Sequence, residues 1–364
     1  MLLAASACAG NRAVPVSGIA PDNALALRAP EVVDTTSILK QLTKTVTIGS
    51  TVDAKNGDKA PHALLIANVT NGKIKKGQIV VCNFASKSNA AGAGTSIELL
   101  NAKAGSTPVQ FAQNAAAKGC AAMGITVADT VFDAAFDGKS IAQFDSSGTY
   151  TKIANKNVVA PFGATYWSIG RLYPRLILFA TDASKGTVLR MDFTQGLPPQ
   201  VTPIIVGFAV NKKPGASALG PSGLSYNVKT DTLYVVDGVN NTVVAIKNIG
   251  QDILAPAAIT VQPGGKTFTY KKGVPNVASL LYSGGALKSP VASALLPNGN
   301  LIVANTTGNA LVEISSAGKL LATKVAVTGS TPAVFGLAAA GTSDANTVLY
   351  FTNAVGSTVQ ELTK

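Results

Sequence analysis

The sequence predicts an all-β fold: a six-bladed β-propeller of four-stranded antiparallel blades, with an N-terminal strand completing the last blade. Three observations predict it. Apolar runs of four to six residues, rich in Val, Leu, Ile and Tyr and punctuated by Gly, Asn and Asp, recur along most of the chain. That is the mark of short antiparallel strands joined by tight turns. The positions leading into a first strand, at 61, 119, 161, 221, 290 and 332, stand 58, 42, 60, 69 and 42 residues apart. An Asn or Asp closes each second strand: Asn83, Asp137, Asp182, Asp237, Asn305 and Asn353. Periods of this length, each holding about four strands, belong to propellers.

Composition agrees. Of 364 residues, 47% are apolar and only 13% charged, with 35 Gly and 18 Pro. A chain this apolar buries a core and is not disordered. No apolar run reaches the roughly 18 residues of a membrane-crossing helix. The net charge of +12 reads first as solubility, with lysines spread over loops, and second as attraction to an acidic partner. Lys73, Lys75 and Lys76 form one small cluster and Lys266, Lys271 and Lys272 another. Neither is a dense basic block interleaved with aromatics, so nucleic acid is disfavoured as a partner.

Taken in order, residues 1–38 carry Pro15, Pro21 and Pro30 without periodicity and read as a leader and tether. Thr35–Leu42 suits a helical turn, and Thr43–Val52 alternates polar and apolar as a lone half-buried strand. Residues 39–364 then form one propeller domain. Blade 1 runs from Pro61-His62-Ala63 through Leu64–Val69, Gln78–Asn83, Thr95–Leu100 and Val109–Ala112. Blade 2 follows Gly119-Cys120-Ala121 with Met123–Ala128, Val131–Phe136, Ser140–Phe144 and Tyr150–Ala154. Blade 3 follows Pro161-Phe162-Gly163 with Ala164–Ser168, Leu176–Thr181, Thr187–Asp192 and Thr202–Gly207. Blade 4 is the best-formed unit, Gly220–Lys247, followed by a looser stretch. Residues 248–289 read as its fourth strand plus an insertion; a further blade is the alternative. Blade 5 starts at Pro290 and blade 6 at Pro332, where only three strands remain before the chain stops. The lone N-terminal strand is the natural fourth, because it covers an edge otherwise exposed.

Gly220–Val244, with its Pro-x-Gly-Leu lead, Leu-Tyr-Val-x-Asp (Leu233 to Asp237) and Val-rich third strand, resembles an NHL repeat. Leu301–Ile314 and Leu176–Met191 match more loosely. The resemblance implies the fold and little about activity. A more distant resemblance, to gluconolactonase- and paraoxonase-type propellers, would imply a catalytic Ca²⁺ held by Glu, Asn and Asp near the inner-strand starts. Here Ser222 stands where that pattern would place Asn, and the other starts are mostly apolar. Ca²⁺ needs several oxygen ligands, so no cofactor and no metal site is expected; Ca²⁺ is the alternative.

His62 is the only histidine, which excludes sites built on two imidazoles. No Gly-x-Ser-x-Gly elbow occurs. The repeated Asn and Asp residues read as caps of their own turns. Candidate ligand-contacting residues at the channel rim are His62, Phe162, Tyr166, Trp167, Ser222 and Asp237, with no catalytic residue among them. The expected occupant is a protein, glycan or small molecule at the channel mouth of a monomer. Ala5-Ser6-Ala7-Cys8 resembles a bacterial lipobox, which implies a lipidated Cys8 and membrane anchoring; a cleaved secretory signal and an ordinary tail are the other readings. Cys82 and Cys120 then remain as a disulfide or as two buried thiols. The function expected is a non-catalytic exported binding or scaffold module at the cell envelope, periplasmic or extracellular. A calcium-dependent lactonase- or esterase-like hydrolase is the alternative.

Overall fold

In the computed structural model the described residues are 35–169, 175–194, 197–213, 216–250 and 255–364. They form six blades in a ring. A short helix α1 (Ile38–Gln41) precedes strand β1 (Lys44–Ser50). Blade 1 contains β2 (Lys59–Ile66), β3 (Ile79–Ala85), β4 (Ser96–Leu100) and β5 (Val109–Gln113). Blade 2 contains β6 (Cys120–Ile125), β7 (Val131–Ala135), β8 (Ser140–Phe144) and β9 (Tyr150–Ile153). Blade 3 contains β10 (Pro161–Ile169), β11 (Arg175–Asp182), β12 (Thr187–Phe193) and β13 (Gln200–Val206). Blade 4 begins with β14 (Pro221–Asn227), β15 (Thr232–Asp237) and β16 (Thr242–Lys247). After it come β17 (Ile259–Val261), β18 (Phe268–Tyr270) and β19 (Ala278–Ser283), of which β19 is the fourth strand of blade 4. Blade 5 contains β20 (Pro290–Leu295), β21 (Leu301–Asn305), β22 (Ala310–Ile314) and β23 (Leu320–Val325). Blade 6 contains β24 (Leu337–Ala340), β25 (Val348–Asn353) and β26 (Thr358–Thr363), and β1 pairs antiparallel with β26 to complete it. The ring is therefore closed between the two ends of the domain, as the orphan strand predicts.

Residues 248–289 supply the fourth strand of blade 4, β19, and an insertion; one departure concerns where that insertion pairs. The β17–β18 hairpin does not extend blade 4. Strand β17 pairs parallel with β13, making blade 3 six-stranded. Its apolar residues Ala258, Ile259 and Val261 are buried with Ile204, Ile205 and Phe208. Fully buried Arg190 on β12 anchors the chain leading there: it pairs with Asp192 at 2.8 Å and donates from Nη1 to the carbonyls of Ile249 and Gly250.

Packing is by pairs of blades. Adjacent blades share separate apolar clusters, for example Val80, Ile97, Phe111, Met123 and Val131 between blades 1 and 2. Helix α1 buries Ile38 and Leu39 between blades 5 and 6. Its first turn is held by the Glu313 carboxylate, which accepts from the Ile38 and Leu39 amides at 3.1 and 2.8 Å and from Ser37 Oγ. Cys82 of blade 1 and Cys120 of blade 2 are joined by a disulfide.

A second departure decides what faces the channel. The sequence places each inner strand after its leading tripeptide, whereas in blades 1 to 5 leading residues belong to the strand; in blade 6 the strand starts only at Leu337. Pro61, Pro161, Pro221 and Pro290 pair with Asn83, Asp182, Asp237 and Asn305, and a register shift follows each proline. Proline is tolerated at a strand's first residue because no ladder donor is needed there. The extra residue of a bulge is re-aimed out of the regular alternation. His62, Phe162, Ser222 and Val291 occupy that position. The glycine that follows in blade 4 is required by proximity: a Cβ on Gly223 would meet the Ala292 backbone of blade 5 at 2.6 Å.

Candidate functional site

The six inner strands β2, β6, β10, β14, β20 and β24 enclose an axial channel of about 300 Å³. Its two ends differ. At the inlet rim, where the inner strands begin, His62, Phe162 and Val291 close the opening with neighbouring phenylalanines. The His62 ring lies flat between Phe84 and Phe335, with centroids 3.9 and 3.8 Å away and planes within 8°. Phe84, Phe136 and Phe162 continue the series at 6.3 and 5.8 Å. Ala121, Ala218 and Val291 fill the remaining space. At the far rim Leu65, Ile125, Tyr166, Tyr226, Leu295 and Ala339 are each partly exposed.

His62 is 8% exposed and its Nδ1 has no hydrogen-bond partner. Burial pushes its pKa down to about 3, so at neutral pH it is a neutral aromatic ring within a stack. Ser222 is fully buried, its hydroxyl donating to the carbonyls of Val236 and Pro290 at 3.3 Å, which ties blade 4 to blade 5. Asp237 is also fully buried. Its Oδ1 accepts from the Val239 and Asn240 amides at 3.0 Å and its Oδ2 from Asn240 Nδ2. Burial pushes this carboxyl up, against hydrogen bonds that favour its charged form. Asp182 and Asn353 cap their own turns in the same manner. Asn83 and Asn305 instead bond other segments, at Thr51 and Ser96 and at Ala286 and Lys288, and Asp137 is exposed. Phe162 belongs to the closed rim and Tyr166 to the open one. The Trp167 side chain and Cys8 lie outside the described residues.

Thus the structure brings His62 and Phe162 together in the inlet closure, puts Tyr166 in the channel, and leaves Ser222 and Asp237 in the framework. Sequence reasoning missed the rings that hold His62. Phe84 and Phe136 sit beside Asn83 and Asp137, the landmarks of the second strands, and that adjacency was the available signal. Apart from Tyr166, which it named, it also missed the channel hydroxyls. Thr165 and Tyr166 of blade 3, Ser225 and Tyr226 of blade 4 and Ser293 of blade 5 line the channel. Blades 6, 1 and 2 present Leu337, Ala338, Leu64, Leu65, Met123 and Ile125 on the opposite side. No charged side chain lines it among the described residues.

Carboxylates cluster elsewhere. Glu98 on β4 and Asp53 in the loop after β1 are each 1% exposed. Glu98 Oε1 has no hydrogen-bond partner. Burial, then the hydrogen bond and charge of Asp53, pushes Glu98 up to about 8. Asp53 is raised by burial but held below its ordinary value by hydrogen bonds with Glu98, Asn56, Lys55 and Gln110. Among the described residues no group of three or more His, Cys, Asp or Glu side chains is placed to hold a metal ion.

No protein-family model matches the chain. No curated protein matches it either. Solved structures do match in fold. One chain of a nidogen/laminin complex aligns with a TM-score of 0.54 at 14% identity, over 82% of this chain and 98% of that one. Virginiamycin B lyase from Staphylococcus aureus aligns with a TM-score of 0.50 at 13% identity, over 88% and 99%. A gluconolactonase from Xanthomonas campestris gives 0.50 at 13%, over 88% and 97%. The chain is a six-bladed β-propeller with NHL-type similarity. Proteins of this architecture include both binding proteins and enzymes, and identity this low speaks for the fold alone.

Proposed function

We propose that this propeller is a non-catalytic binding or scaffold module that works outside the cytoplasm, at the cell envelope. One observation carries the reading: the reactive groups of the inlet rim are already committed to the fold. The lone imidazole is sandwiched between phenylalanines, the Ser222 hydroxyl bridges two blades, and the Asp237 and Asp182 carboxylates are occupied by turn donors. General acid–base or nucleophilic work needs such groups facing a substrate. The Cys82–Cys120 disulfide suits an oxidising compartment, and in this reading Cys8 is the lipid-bearing residue. The net charge of +12 favours acidic envelope polymers as the surface on which the module works. The test is to incubate the purified protein with a panel of lactones and esters, with and without Ca²⁺, alongside salt-dependent binding to isolated envelope polymers. Binding without turnover is expected. Saturable turnover abolished by a chelator would refute the reading in favour of a calcium-dependent hydrolase.

A further inference from the structure

We propose that the axial channel is a binding site for an uncharged, hydroxylated small molecule with one apolar face, of the neutral saccharide or aryl-glycoside class, entering from the far rim. The proposal rests on the binding-module reading and gives that module a site.

Direction follows from the ring stack that covers one end, since rim residues at both ends, Phe84 and Phe335 included, are partly exposed. The inlet end is stoppered by the His62–Phe84–Phe335 stack and by Phe162, while Leu65, Tyr166, Tyr226 and Leu295 at the other end are partly open to solvent. Ligand class follows from how the lining is divided. The lining residues that carry hydroxyls belong to three consecutive blades: Thr165 and Tyr166, then Ser225, then Ser293; the Tyr226 hydroxyl is already donated to Asp231 Oδ1 at 2.8 Å. The facing three blades bring alkyl side chains and no hydroxyl, while Ala164, Leu224 and Leu295 add alkyl surface beside the hydroxyls. A channel polar along one side and apolar along the other matches a ligand divided in the same way, as a pyranose or a phenyl glycoside is. Placing an ionised group there would desolvate it with no counter-charge in the lining, so charged ligands are disfavoured. Ser225 and Ser293 sit with their oxygens 2.8 Å apart across the boundary between blades 4 and 5. Each hydroxyl keeps acceptor capacity beyond that bond, so the pair is a ready anchor for a ligand hydroxyl. The volume of about 300 Å³ stands at the small end of ligand pockets, roughly 300–1,000 Å³, which suits a ligand of one or two rings.

The probe is p-nitrophenyl β-glucoside, with p-nitrophenyl β-glucuronide as its charged counterpart of similar size. Binding is read by saturation-transfer NMR and titration calorimetry, and turnover by release of nitrophenolate. Saturable binding of the glucoside is expected, with the glucuronide at least about tenfold weaker, the factor for a modest desolvation difference. Ser293 is partly exposed, so Ser293→Phe puts a ring into the channel and should abolish binding. Ser293→Ala should weaken it, and thermal melting checks that both variants fold. Absence of saturable glucoside binding, equal binding of the glucuronide, or undiminished binding by folded Ser293→Phe would each overturn the channel assignment while leaving the envelope-binding assay to stand or fall by itself. Release of nitrophenolate that Ser293→Phe abolishes would overturn the non-catalytic reading and keep the channel as the site.

Discussion

Replacing Glu98 by Gln tests the electrostatics of the segment that joins the closing strand to blade 1. Glu98 is buried against Asp53, in the turn of residues 51–58 that leads from β1 into β2. In the folded protein its carboxyl titrates at about 8 rather than 4.5. This is the reverse of an ion-paired carboxylate, because the fold prefers the protonated form. Below pH 4.5 the group is neutral in both states and costs nothing. As pH rises from 4.5 to 8 the unfolded chain ionises first, and stability falls continuously before levelling off above pH 8. At about 1.4 kcal/mol per pH unit, the span from 4.5 to about 8 is worth roughly 4–5 kcal/mol at full ionisation. Glutamine keeps the volume and offers Asp53 a permanent N–H donor. Glu98→Gln is therefore expected to match the wild type near pH 5 and to exceed it progressively up to pH 9. Urea unfolding at pH 5, 7 and 9, followed by far-UV circular dichroism, measures the difference. Parallel pH profiles, or a variant less stable than the wild type at pH 9, would refute the claim that Glu98 is held as an acid.

Other outcomes follow from the same structure. Replacing His62 by Phe should preserve the ring stack and remove an acid sensitivity. The imidazole is neutral in the fold down to about pH 3, whereas an unfolded one protonates near 6.5, so His62 makes stability fall as pH drops between those values. The His62→Phe variant should lose less Tm between pH 7 and pH 4 than the wild type. Reducing the Cys82–Cys120 bond, or replacing both residues with Ala, reopens a loop with a sequence separation of 38. About 3–4 kcal/mol should be lost, readable as a lower urea midpoint. Glu313→Ala removes the acceptor for two amides of α1 and leaves Asn300 Nδ2 without its Oε1 partner. About 2–4 kcal/mol should be lost, and hydrogen exchange at Ile38 and Leu39 should rise to solvent-like rates. Thr47→Pro in β1 should break its pairing with β26, lower Tm and promote association through the uncovered edge.

Local patterning determined most of the fold. Short β-rich runs, turn residues and two registers of spacing are enough for six blades, because each blade repeats the same nearest-neighbour problem. The closure by β1 was also legible, since a strand without a blade and a blade without a fourth strand leave one economical pairing. The roles of Asp237 and Asp182 could be read from position, because an Asx side chain bonds donors two or three residues on. Other features depend on contacts between residues far apart in sequence. The β17–β18 hairpin carries nothing local to say that blade 3, rather than blade 4, receives it; burial of Ile259 and Val261 beside β13 decides that. His62 looked like a group at an open mouth. Only the meeting of His62 with Phe84 from the same blade and with Phe335, 273 positions beyond His62, makes it part of a stopper. The division of the channel into hydroxyl and alkyl sides is likewise invisible along the chain. It exists only when Thr165, Ser225 and Ser293 are brought round one axis opposite Leu64 and Leu337. The sequence by itself thus determined the repeat and its turns, which are local. Tertiary structure decided which end of the channel is open and what chemistry lines it, because those properties belong to the ring and to no single blade.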